Sequence, residues 1–251
     1  MANLQINSHI LEDIDIVIFD KDGTLMDLYQ YWSDMVNYRV EFARKKLGFS
    51  EKQKNEIMFT MGVDLANKRM NRHGPVGNKK RQVVMQVMED ALSALGFADT
   101  HDLCFEAFKE ADRTSLKILP EIIKPVKGVK EFINSLRKHA CRIAVATSDI
   151  TERALLAVEL LGISNKVDIV VGCDMVKNHK PHPEMINLIL RKLSLGKGKA
   201  VMVGDTLADI EMGNNAGLRA SIAVTSGMAL PEEFLGKTDH IVQDISKIKI
   251  I

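Results

Sequence analysis

The stretch Asp15-Ile16-Val17-Ile18-Phe19-Asp20-Lys21-Asp22-Gly23-Thr24-Leu25 decides how the rest of the chain is read. Four apolar residues in a row, β-branched or aromatic and without polar alternation, describe a strand buried on both faces. Gly23 breaks it, so Asp20 and Asp22 fall at its carboxyl end. In open α/β sheets that end is where ligands bind. Two carboxylates one residue apart repel each other unless a cation lies between them, so a divalent metal is expected here.

A buried strand of this kind needs parallel neighbours, and the second half of the chain supplies them. From Gly128 onward helices and strands alternate: helix 129–139, strand 142–147, helix 151–161, strand 167–171, helix 183–193, strand 200–204, helix 207–216, strand 220–224 and a short edge strand at 240–242. Such alternation implies βαβ units and a doubly wound parallel sheet, an α/β fold with helices on both faces. Between the first strand and this region the pattern is different. Trp32, Met35, Val36, Val40, Ala43 and Leu47 recur near the 3.6-residue period, as do Val84, Val87, Met88, Ala91, Leu92 and Leu95. Cys104, Ala107, Phe108, Ala111 and Ser115 suggest a third helix, 51–61 a shorter one, and Pro120 and Pro125 a linker. The expected organisation is a catalytic core from 1–26 and 126–251, interrupted by a helical domain at 27–125.

Composition excludes several classes. With 34 basic and 33 acidic residues, the chain has no global charge footprint for nucleic acid or a membrane surface. No apolar run approaches the ~20 residues of a membrane span, and residues 1–13 do not resemble a signal peptide. Cys104, Cys141 and Cys173 are scattered and odd in number, which argues against a disulfide framework and a zinc site and fits the cytoplasm.

Four segments of the core stop in polar residues. The first carries Asp20 and Asp22. The second ends in Thr147-Ser148-Asp149, the third places Lys180 before a proline-led helix, and the fourth runs from Ala200 into Gly204-Asp205-Thr206-Leu207-Ala208-Asp209. In a parallel sheet all four lie at one edge. Together they offer carboxylates for a hard cation, hydroxyls and amides for oxyanions, and a point positive charge. That set suits phosphoryl transfer, in which positioning and charge neutralisation do most of the catalysis.

The four motifs Asp20-Lys21-Asp22-Gly23-Thr24, Thr147, Lys180-Pro181 and Gly204-Asp205-Thr206-x-x-Asp209, in this order, resemble those of the haloacid dehalogenase-like hydrolase superfamily. The helical insert resembles that family's α-helical cap. The resemblance implies that Asp20 is the nucleophile, forming an aspartyl-phosphate, and that Asp22 protonates the leaving group and then activates water. It further implies that Thr147 and amides around Ser148 hold phosphoryl oxygens and that Lys180 neutralises charge. Asp20, Asp205 and the carbonyl of Asp22 would bind Mg²⁺, with Asp209 acting directly or through a water.

Departures from related patterns narrow the chemistry. Dehalogenases and phosphonate-cleaving members lack the second acid, and Asp22 is present. Sugar-phosphate mutases carry a histidine where this chain has Trp32, and Asp64-Leu65 follow Gly62-Val63 where their arginine would be expected. The insert holds a stretch without acids, from Leu65 to Met88, in which Lys68, Arg69, Arg72, His73, Lys79, Lys80 and Arg81 gather around turns at Gly74-Pro75 and Gly77-Asn78. Arg69, Arg72 and Lys79 either meet a second anionic group of the substrate or belong to a solvated basic loop. The expected activity is a Mg²⁺-dependent phosphatase acting on a small phosphate ester, phosphoglycolate- or sugar-phosphate-like, with pyrophosphate behind. The competing expectation is a phosphate-ester-binding module with little turnover. Neither nucleic acid nor a membrane is expected as partner.

Overall fold

The structure, a computed structural model, describes residues 1–77 and 79–251 and, at Leu116, the backbone. The turn read at Gly77-Asn78 therefore lies partly outside the described residues. In chain order the elements are β1 (Ala2–Ile6), β2 (His9–Ile14), β3 (Ile16–Phe19), α1 (Leu28–Leu47), α2 (Glu51–Met61), β4 (Val63–Asp64), β5 (Arg69–Met70), α3 (Arg81–Ala94) and α4 (His101–Ile122). After these come α5 (Val129–Lys138), β6 (Arg142–Ala146), α6 (Thr151–Leu160), β7 (Ile169–Val171), α7 (Glu184–Leu193), β8 (Ala200–Gly204), α8 (Leu207–Ala216), β9 (Ala220–Val224), β10 (Ile241–Val242) and β11 (Ile248–Ile250). They form two compact units, one of Met1–Asp27 with Pro125–Ile251 and one of Leu28–Lys124.

The first unit is built on a six-stranded parallel sheet in the order β10-β9-β8-β3-β6-β7. All four residues of β3 are buried, because strands flank it on both sides and helices cover both faces. Ile16 and Ile18 face a core containing Met185, Ile186, Ile189 and Leu190 of α7 and Met212 of α8. On the other face the Phe19 ring meets Phe132 of α5 edge-on, with centroids 6.2 Å apart. Register fixes the sheet's carboxyl edge: Phe19 lies opposite Val145 on one side and Val203 on the other. One residue further on, the Asp20 amide still donates to Val203 O at 2.9 Å. Asp20, Thr147 and Asp205 are thereby drawn to the same edge.

A second sheet in this unit, β11-β1-β2, is antiparallel, with Leu4 opposite Ile250 and Leu11. Nothing in the sequence reading assigned it. Ala2, Leu4 and Ile6 do alternate with Asn3 and Gln5 as a half-buried strand should, but the run is only five residues long and one of its two partners is at the other end of the chain.

The second unit is helical. Buried residues of α1 (Met35, Val36, Val40, Ala43) share its core with Cys104, Ala107, Phe108 and Ala111 of α4 and with Val84, Met88 and Leu92 of α3. Two findings correct the sequence reading. A two-residue hairpin, β4 with β5, interrupts the helices. Pro120 does not punctuate a linker but lies inside α4, which runs on to Ile122. The last turn survives because Ile123 N–H still reaches Leu119 O at 2.9 Å and both Ile122 and Ile123 are buried. Among the described residues no helix is long and apolar enough to cross a membrane.

Helix α2 begins with a capping box in which the Gln53 amide donates to Ser50 Oγ and the Ser50 amide donates to Gln53 Oε1. Ser50→Ala leaves an amide of the first turn without its side-chain acceptor and is expected to cost about 1 kcal/mol or less at this exposed end. Urea unfolding reads it; an unshifted midpoint would mean that water replaces the cap at no cost.

Candidate active site

Each strand end contributes a side chain for a local reason. Gly23 adopts φ +82°, which turns the chain sharply after β3. Asp20 is thereby left buried at 6% exposure, while the Asp22 side chain is 37% exposed. The loop before α7 carries Lys180 into the core edge, where its Nζ donates to Asp20 Oδ1 and, at 2.6 Å, to Asp209 Oδ1. Asp209 doubles as a cap of α8: its Oδ2 accepts from the Thr206 amide at 3.0 Å and from Thr206 Oγ1 at 2.6 Å. Both its oxygens are thus engaged. Asp205, 1% exposed, accepts from Thr24 Oγ1 at 3.2 Å. Thr147 is buried, and its Oγ1 accepts from the Asp149 amide at 3.2 Å, which leaves the hydroxyl hydrogen available. Ser148 beside it is exposed.

Three buried carboxylates surround one ammonium group, and the electrostatics follow. Burial pushes the Asp20 carboxyl up to about 7 against the pull of Lys180, with Asp209 and Asp22 adding repulsion. Burial, then the charges of Asp20 and Asp209, raises Asp205 well above the usual carboxylate range. Burial alone would lower Lys180, but the two acids it touches hold it above the ordinary lysine value. The site is therefore short of positive charge. Ligand oxygens of Asp20, Asp205 and Asp209 lie within 4.8 Å of one another. A buried all-oxygen set with excess negative charge fits a hard divalent cation such as Mg²⁺.

The structure adds residues that the sequence reading did not single out. Lys21 is buried at 4% and pairs with Asp22 Oδ1 at 2.7 Å and Asp149 Oδ2 at 3.3 Å. Burial would lower this lysine, yet the charge of Asp22 and Asp149 raises it above its usual value. The loop after β9 packs against the turn that follows β3: Ser226 Oγ donates to Gly23 O at 2.7 Å. A Cβ on Gly227 would lie 1.8 Å from Asp205 Oδ2. The available signal was a fifth strand at the same edge, running into Thr225-Ser226-Gly227.

That contact makes Gly227→Ala a sharp probe. Either the loop or Asp205 must move, and Mg²⁺ affinity measured by calorimetry is expected to fall about 10–100-fold, as when the outer shell of a metal site is disturbed. Unchanged affinity would mean that Asp205 is not a ligand.

The basic residues expected to meet a second anion belong to the Leu28–Lys124 unit. Arg69 is 68% exposed there and pairs with Asp64, the acid just outside the acid-free stretch, at 3.4 Å. Arg72 and Lys79 are exposed, and Arg81 binds Asp112 at 2.6 Å.

Comparison with known proteins agrees with the core geometry. Probable phosphatase IndB of Dickeya dadantii is 29% identical over 91% of this chain and 89% of its own length. Pyrophosphatase PpaX of Halalkalibacterium halodurans is 32% identical over 102 residues, 41% of this chain but only 47% of that protein, so the match spans under half of that relative. Among solved structures, a HAD-superfamily hydrolase of subfamily IA from Geobacter sulfurreducens superposes with a TM-score of 0.63 at 19% identity, covering 94% of both chains, which speaks for the fold. The family model for haloacid dehalogenase-like hydrolases matches residues 17–224, from the strand that carries Asp20 to the end of β9. With that match over most of its length and a parallel core that brings Asp20, Lys180 and Asp205 together, the chain belongs to the haloacid dehalogenase-like hydrolases.

Proposed function

We propose that the protein is a Mg²⁺-dependent phosphatase that hydrolyses a small phosphomonoester, phosphoglycolate- or sugar-phosphate-like, through an aspartyl-phosphate. The Leu28–Lys124 unit would serve as its cap, and the cytoplasm as its compartment, a reading supported by three unpaired cysteines. One observation carries the reading: the two acids of the first motif differ in setting. Asp20 is buried and fixed by Lys180, whereas Asp22 is partly exposed and paired with Lys21.

An immobilised buried carboxylate suits attack, and an accessible one suits proton transfer. Asp20 attacks phosphorus, the bond to the ester oxygen breaks, and Asp22 gives its proton to the departing oxygen. Asp22, now ionised, takes a proton from water; the water oxygen attacks phosphorus, releasing inorganic phosphate and restoring Asp20. Thr147 donates its free hydroxyl hydrogen to a phosphoryl oxygen, and Lys180 screens Asp20 from the phosphate charge. Mg²⁺ held by Asp20, Asp205 and the Asp22 carbonyl would neutralise phosphoryl charge. Asp209, its oxygens engaged by Lys180 and Thr206, acts chiefly by aiming the lysine. Pyrophosphate is the second reading, supported by the similarity to PpaX.

The test is phosphate release from a panel of phosphoglycolate, hexose phosphates, pyrophosphate and a phosphonate, with Mg²⁺ and with EDTA. Metal-dependent release from a phosphomonoester is expected, and a clear preference for pyrophosphate would favour the second reading. No release from any of them, together with tight ester binding, would mark a binding module instead.

A further inference from the structure

Arg39 lies in the middle of α1 and is 5% exposed. Its Nε is buried without an acceptor, and among the described residues its side chain makes no hydrogen bond or ion pair. Its guanidinium stands 4.2 Å from the Phe108 ring centroid and 5.8 Å from that of Trp32. The same phenyl ring carries Arg81 at 5.1 Å. The acid whose charge reaches Arg39 most strongly, Asp112, is already bound by Arg81. Burial pushes Arg39 down to about 10, so its charge is held at a cost. Arginine is almost never buried without a partner, because desolvating an unpaired charge is expensive. Two guanidinium groups sharing the charge of one carboxylate leave one positive charge unbalanced. A planar fork of donors matches the oxygens of a carboxylate or phosphoryl group.

We infer that the Leu28–Lys124 unit carries an oxyanion site of its own, in which Arg39, beside Trp32 and Phe108 and supported by Arg81, takes the carboxylate or phosphoryl group of a small molecule. This goes beyond the phosphatase reading and does not need turnover.

Trp32 is the chain's single tryptophan, so its fluorescence reports on the site directly. Metal-free protein in EDTA is titrated with inorganic phosphate and, separately, with succinate, at ionic strength held constant with chloride. A saturable change is expected with at least one probe, and which one responds identifies the anion as phosphoryl or carboxylate. Arg39→Met should weaken it about tenfold or more, the loss of a charge-assisted hydrogen bond, with the circular dichroism of the fold retained. Should that variant fail to fold, Arg81→Gln is expected to weaken binding by a smaller factor. Lys180→Met, which alters the other phosphate-binding centre, should leave the response in place. No saturable change with either probe, an unaltered titration in Arg39→Met, or a response lost in Lys180→Met but kept in Arg39→Met would overturn the inference. Because binding is read without catalysis, it stands or falls separately from the phosphate-release panel.

Discussion

Asp20→Asn is expected to abolish phosphate release, by ~10³-fold or more, while making the metal-free protein more stable than the wild type. The first effect follows from the proposed attack by Asp20: an amide is no substitute for a carboxylate nucleophile. The second follows from the electrostatics of the buried cluster. The Asp20 carboxyl is raised from 3.8 to about 7, with burial as the main cause. A group whose folded-state value is raised lends its full stability below the unfolded value and loses it as pH climbs through the folded one. Metal-free wild type should therefore weaken between about pH 4 and pH 7. The asparagine variant lacks the titration at position 20, although Asp205 is still raised by burial, and its advantage should grow across that window and level off above it. Urea midpoints in EDTA across the pH range measure this. An Asp20→Asn protein less stable than wild type at neutral pH would show that Lys180 binds the Asp20 charge more strongly than burial opposes it. Adding Mg²⁺ should raise the wild type selectively, because a cation bound only to the folded form stabilises it.

Lys180→Met reverses the sign. It removes the ammonium group shared by Asp20 and Asp209 and leaves three buried acids without a compensating charge. Removing one partner of a buried pair costs on the order of 3–5 kcal/mol, and the loss should steepen as pH rises and the acids are forced to ionise. Turnover is expected to fall ~10²–10³-fold, as when one electrostatic stabiliser is taken from a transition state. Combining the two substitutions should cost less than their sum, since the asparagine relieves the repulsion that the methionine exposes. Melting temperatures in EDTA and in Mg²⁺ decide the point: a variant as stable as wild type without metal would remove Lys180 from the charge balance altogether.

The sheet was legible because its strands are buried on both faces. Every residue of β3 and of β8 is buried, and such strands announce themselves as unbroken apolar runs. Asp20, Thr147 and Asp205 could be found because each directly follows such a run. Lys21 could not. A lysine between two aspartates reads as a solvated turn, and only the fold shows that it turns inward to Asp22 and Asp149. Arg39 was missed for a related reason. It falls on the buried stripe with Val36, Val40 and Ala43, but a charged residue at that register is conventionally read as pointing away. Its guanidinium stands instead over an aromatic ring contributed by α4, a partner far away in sequence. Pro120 misled in the opposite direction: proline lowers the odds of a helix without forbidding its last turn.

The central place of β3 has a consequence for how the molecule is made. Its two sheet neighbours are β6 and β8, both encoded beyond the helical unit. As the chain leaves the ribosome, Ile16–Phe19 emerges first and stays without a pairing partner while all of Leu28–Lys124 is synthesised. The helical unit is continuous in sequence and can condense once α4 has emerged; the core must hold an apolar strand with both edges open until its distant neighbours arrive. Nascent chains ending short of Gly204 would lack Asp205 and one wall of β3 alike. Aggregation during synthesis and the first appearance of metal binding should therefore change over at the same chain length.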